Sequence, residues 1–264
     1  MRPVSFALSV LAATLVISTS CAPPAAGPIN PDRAVAASPS LVAEGSKVFE
    51  KIKSESKISS NSSHKAAVRR VSTRLTKVIP LPNAEWEFVV FEDKTPNAFA
   101  LPGGKVGINS GMFQITKNDA GLAAVLGHEI AHVTLNHAGD RRNQGSLIAV
   151  GGLILDGVLA SQGIDSGARD VAGSVYGAGA NVGVMLPHSR SDELEADKLG
   201  TIYMARAGYN PQEALAMWNR FGDWRRTKGK SQGSEFLRTH PLDETRIQAL
   251  ESFMPQAVAE YQRR

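Results

Sequence analysis

The spacing of apolar residues changes along the chain, and each spacing predicts an element. In 41–55 and 64–79 they recur at helical period; Val68, Val71, Leu75 and Ile79 mark one face of the second stretch. A Ser/Asn cluster at 59–63 separates the two, and Pro80 and Pro82 end the second. Trp86–Phe91 is rich in aromatic and β-branched residues and reads as a strand. Asn97–Leu101 and Lys105–Asn109 read as two more, joined through Pro102-Gly103-Gly104. Asn118 or Asp119 caps a helix predicted to run to about Ala138. Ser191 or Asp192 caps another ending near Gly208, and Asn210-Pro211 opens a third, with Trp218, Phe221 and Trp224 facing the core. A last helix is predicted from Leu242, kinked or broken at Pro255. Helices around one small three-stranded sheet give the class α+β.

The first forty residues follow a different logic. Arg2 precedes an apolar run, Val4–Ile17, which ends in Ser18-Thr19-Ser20 and then Cys21. That is the shape of a secretory signal peptide over residues 1–20, and the run is too short to favour spanning a bilayer. A lone Cys at this point resembles the lipid attachment site of bacterial lipoproteins. With Ala22 rather than Asp after it, the resemblance implies a periplasmic protein anchored to the outer membrane. Five prolines among Ala, Ser and Gly make residues 21–40 a tether, with the folded domain expected over 41–264.

Composition sharpens this picture in three ways. The chain of 264 residues is 42% hydrophobic and 20% charged, ordinary for a globular protein. One cysteine excludes a disulfide framework and any multi-cysteine zinc site. The net charge of +4 comes without a Lys/Arg block, so nucleic acid is not the expected partner. Between 145 and 185, ten of 41 residues are Gly and four are charged. That composition fits two closely packed core helices, with a flap near the active site as the alternative.

The chemistry centres on His128-Glu129-Ile130-Ala131-His132. Residues i and i+4 of a helix share a face, so both imidazoles can reach one Zn²⁺. Glu129, beside them, can activate a water. Catalytic zinc usually takes three protein ligands. His137 lies nine residues after His128, one short of the metzincin spacing, and Leu135 stands where that motif has Gly, so His137 reads as structural. Glu193 and Asp197 are i and i+4 on the later helix. Glu193 is the candidate third ligand, and Asp197 the acceptor that orients a ligand imidazole.

The helix His128–His137, the run Glu193-x-Glu195-Ala196-Asp197, and Thr239-His240-Pro241 with Arg246 resemble the zinc metallopeptidases that include type I CAAX prenyl proteases, HtpX-like proteases and periplasmic barrel-assembly quality-control proteases. Asn97–Gly104 resembles the segment these enzymes carry before the zinc helix, and the likeness covers about 45–250. It implies a mainly helical, gluzincin-type zincin domain holding one Zn²⁺ through His128, His132 and Glu193. It implies Glu129 as general base, and His240 as either a transition-state stabiliser or a latch on the metal. Arg246 matches an arginine near the site. The expected substrate is unfolded or extended polypeptide, bound as an added strand along an edge strand Lys105–Asn109. The membrane partner comes through the lipid anchor; the sequence does not fix an oligomeric state. The expected function is envelope proteolysis of misfolded or unassembled proteins. A non-proteolytic or latched zinc-binding chaperone is the main rival, and no glycan-binding segment supports a cell-wall amidase.

Overall fold

A computed structural model describes residues 29–81, 84–143, 188–228 and 235–263. The expected signal peptide, Cys21 and the whole Gly-rich 145–185 segment lie outside the described residues.

The chain is tied to the domain before its first helix. Val35 donates its backbone N–H to Thr134 O at 2.8 Å, and Asp32 pairs with Arg206 at 2.6 Å. Helix α1 (Pro39–Glu55) follows, with Ser38 accepting from Leu41 N as its cap, and then α2 (Ser62–Thr76), capped by Asn61. Strands β1 (Glu87–Phe91), β2 (Ala98–Leu101) and β3 (Lys105–Asn109) come next. A 3₁₀ turn, Ser110–Met112, and a short α3 (Phe113–Thr116) lead to α4 (Asp119–Thr134). The later helices are α5 (Arg190–Arg206), α6 (Gln212–Lys228), α7 (Glu235–Thr239) and α8 (Glu244–Gln262). Among the described residues the molecule is mostly helical with one small sheet, as the apolar pattern predicts.

The sheet order is β1-β3-β2, with β1 parallel and β2 antiparallel to β3. Lys105–Asn109 is therefore the central strand and not the edge strand expected from sequence. Its burial pattern fits that place: Val106, Gly107, Ile108 and Asn109 are all buried. The turn into it needs Gly103 and Gly104 at φ 88° and 90°. Alternate residues face opposite layers. Val90, Ala98, Val106 and Ile108 join the main core beneath α2 and α4, while Phe91 and Leu101 pack with Phe49 of α1. The far edge of β1 is occupied by residues 57–59, through Ser59 N to Val90 O and Glu92 N to Lys57 O. Among the described residues β2 is left as the open edge.

Helix α4 is buried all round from Gly121 to Thr134, as a helix crossing the middle of a domain must be. Asn118 caps it through Gly121 N, and Arg70 holds Asp119 with two bonds at 2.5 and 2.6 Å. It ends at Thr134, four residues earlier than predicted, because Asn136 adopts φ 57°. The cap of α5 is also shifted: Ser189, not Ser191 or Asp192, accepts from Asp192 N, and Asp192 returns the bond to Ser189 N. Pro255 does not break α8, which runs on to Gln262. The proline lies on the exposed face, where water can satisfy the carbonyl it strands.

Candidate metal centre

The site forms where α4, α5 and the segment after α7 meet. Gly127 and Gly200 let α4 and α5 touch backbone to backbone: a Cβ on Gly127 would lie 2.7 Å from Gly200 O. This crossing sets the zinc-helix histidines against the acidic turn of α5.

Four donor atoms converge there, from His128, His132, Glu193 and His240, all buried. His128 Nε2 lies 3.1 Å from His132 Nε2 and 3.2 Å from His240 Nδ1. Glu193 Oε1 lies 3.0 Å from His240 Nδ1 and 3.4 Å from His132 Nε2. A tetrahedral zinc with bonds of 2.0–2.1 Å requires donor separations of about 3.3 Å. The spacings therefore fit the corners of one zinc polyhedron. Hydrogen bonds fit worse, since His128 Nε2 would have to serve two other imidazoles at once.

The surroundings hold this group in place. His128 Nδ1 faces Asp197 Oδ1 at 3.0 Å. Arg246 donates to both Asp197 oxygens at 2.8 Å and pairs with Glu193 Oε2 at 2.5 Å. Its guanidinium also lies over the Trp218 ring, 4.6 Å from the centroid. Burial opposes charge on Glu193, but His240, Arg246 and His128 hold its carboxyl well below the ordinary range. Burial likewise pulls His128 down, yet Glu193 and Asp197 outweigh it and raise the metal-free imidazole to about 9. Burial, with His188 and His128 nearby, pushes His132 well below its usual value. Glu129 is 2% exposed, and its Oε1 has no hydrogen-bond partner among the described residues. His240 Nε2 faces that oxygen at 3.5 Å.

A cleft of about 660 Å³ opens onto the site, bounded by Val48 and Ile52 of α1, by Asn97–Pro102 along β2, and by Glu129, His132 and His240. The predicted site residues His128, Glu129, His132, Glu193, Asp197, His240 and Arg246 are thus brought together. Three neighbours join them, and two of these, His188 and Arg141, have no predicted role. His188 lies tilted against His132 with ring centroids 3.8 Å apart, donates its backbone N–H to Thr239 O, and contacts Arg141. His137, read from sequence as structural, is buried against His132. No sequence spacing marks His188 or Arg141, because they reach the site only through tertiary packing.

The model of peptidase family M48 matches residues 62–254. The chain belongs to this family. It is a zinc metallopeptidase, and the buried His/Glu group fits the metal. It is 35% identical over 190 residues to mitochondrial metalloendopeptidase OMA1 of Schizosaccharomyces pombe, covering 72% of this chain and 53% of that protein. It is 33% identical over 168 residues to beta-barrel assembly-enhancing protease of Escherichia coli, covering 61% of this chain and 33% of that protein. This M48 chain therefore matches about half of the first relative and a third of the second. No helix among the described residues is long and apolar enough to cross a membrane.

Proposed function

We propose that this M48 peptidase is an endopeptidase of the bacterial cell envelope, held in a latched state by His240. The donor spacing carries the reading. His128, His132 and Glu193 hold zinc, and His240 Nδ1 fills the fourth corner. Zinc, when bound, supplies a Lewis acid to the peptide carbonyl and acidifies water. Glu129 takes the proton of the attacking water and delivers it to the leaving amine. Its buried, unpartnered Oε1 suits that task. Asp197 orients His128, and Arg246 braces Asp197 and Glu193 together. For turnover His240 leaves its corner and makes room for substrate.

The substrate strand lies along β2. Asn109 N bonds Asn97 O, so residues 97, 99 and 101 point their backbone groups at β3, and Ala98 and Ala100 point theirs at the cleft. An extended segment pairing there crosses the site, which favours unfolded or unassembled polypeptide over intact domains. The envelope assignment rests on the signal-like residues 1–20, on Cys21 as a lipid anchor for the outer membrane, and on likeness to an enzyme named for β-barrel assembly. The mitochondrial relatives mark the family's reach and leave the catalytic reading unchanged.

The test is zinc analysis plus degradation of an unfolded casein-type substrate. Wild type should hold one zinc per chain and cleave slowly. His240→Ala should cleave faster, and Glu129→Gln should keep zinc and lose about 10²–10⁴-fold in rate. Wild-type cleavage by Glu129→Gln would remove the base assignment; no gain in His240→Ala would remove the latch.

A further inference from the structure

Both candidate ligand histidines need a defined tautomer. His132 presents Nε2 to the donor group, so in the neutral ring its proton sits on Nδ1. That nitrogen lies 2.8 Å from His137 Nδ1. His132 is then the donor and His137 the acceptor, which places the His137 proton on Nε2. This second nitrogen faces Glu195 Oε2 at 3.6 Å, an electrostatic contact rather than a hydrogen bond.

The backbone explains how a residue five positions on can face back. Asn136 sits at φ 57°, which ends α4 and turns the chain, and helical residues resume at 137. His137 is 3% exposed, so its imidazole competes with little water for the His132 proton. Glu195 comes from α5, between Glu193 and Asp197 but two residues round from the face they share.

We propose that His137 is a positioning residue: it fixes the tautomer and ring plane of His132 and is itself oriented by Glu195. This rests on the zinc reading of the site. The two ligand histidines are then braced alike. His128 leans on Asp197 directly, and His132 leans on Glu195 through one intervening imidazole. Partners of this kind commonly contribute about 10–100-fold to metal affinity. A second metal among His132, His137 and His188 fits the geometry less well. The 2.8 Å separation is hydrogen-bond length and falls short of the roughly 3.3 Å between ligands of one zinc.

The experiment compares the full chain with His137→Phe, which keeps the buried ring and removes the acceptor, and His137→Gln, which restores an acceptor oxygen. Zinc affinity is read by chelator competition, and melting temperature is read with and without zinc. His137→Phe should bind zinc about 10–100-fold more weakly and gain less in Tm from zinc, and His137→Gln should recover most of both. A merely structural residue would lower Tm equally in both states and leave affinity alone. Should His137→Phe not fold, ¹⁵N-histidine spectra of zinc-loaded wild type still report the tautomer of His137. A proton on His137 Nε2, which leaves Nδ1 free to accept from His132, supports the proposal, and a proton on His137 Nδ1 overturns it. Wild-type affinity in a folded His137→Phe, or two zinc ions per wild-type chain, also overturns it. Failure of wild type to bind zinc, by contrast, would remove the metal-centre reading itself.

Discussion

At the scale of single residues, the cost of burying charge organises the site. Glu193, Asp197 and Arg246 are each 4% exposed or less, and each is tolerable only because the others are charged. The same network puts a proton on His128 when metal is absent, since Glu193 and Asp197 raise its pKa to about 9 against a reference of 6.5. The folded value lies above the unfolded one. The associated stability is therefore full below pH 6.5 and disappears as pH rises through about 9. Zinc must displace that proton. The metal-free protein should lose Tm between pH 6.5 and 9, and zinc affinity should climb by up to about tenfold per pH unit over that range. Calorimetric titration in buffers of different ionisation enthalpy would count one proton released per zinc at pH 7. A flat affinity profile would contradict it. Spacing made His128, Glu129 and His132 legible from sequence, because i and i+4 share a helix face whatever surrounds the helix. His137 was illegible by the same rule, since its approach to His132 depends on the left-handed Asn136.

At the scale of elements, the decisive contact is the α4–α5 crossing. Neither Gly127 nor Gly200 has room for a methyl group: a Cβ on Gly200 would lie 2.7 Å from Gly127 C and His128 N. Gly200→Ala should force the helices apart, lower stability by about 1–3 kcal/mol in chemical denaturation, and weaken zinc binding as His128 and Glu193 separate. Ser189→Ala removes the capping box of α5 at an exposed position. It should cost about 1 kcal/mol and leave zinc affinity near wild type. The contrast separates a helix held in place from a helix merely stabilised. Sequence located these helices to within a few residues but missed the crossing, because a glycine inside a helix carries no sign of the neighbour it admits. It found the strands too, yet placed β3 at the edge. Strand order depends on the parallel β1–β3 pairing, a long-range choice that local periodicity does not encode.

At the scale of the whole molecule, the open β2 edge and His240 line one cleft, which the proposed latch would close. His240 stacks on Phe236 of α7, with centroids 4.6 Å apart, and the carbonyl before it is held by His188 N. Opening the proposed latch would therefore mean moving a whole segment and not one side chain. Position in the cell adds a constraint from the other end of the chain. If Cys21 carries lipid, the eleven residues to Asp32 span at most about 40 Å, which keeps the domain close to the bilayer. Cys21→Ser should move the protein from the membrane fraction to the soluble one, measured by fractionation and blotting, with cleavage of unfolded substrate unchanged in solution. Persistent membrane association would exclude that anchor.

By itself the sequence determined what is local. It set the helices and strands, the candidate metal-binding pair at i and i+4, the candidate base between them, and the acidic turn that offers a third donor. These depend on backbone period and side-chain chemistry within one or two turns. Tertiary structure alone decided the rest. It made β2 rather than β3 the open edge, closed α4 on α5 through two glycines, brought His240 into the donor group, and turned His137 back onto His132. Each of these depends on which distant residues the packed core brings within a few ångströms.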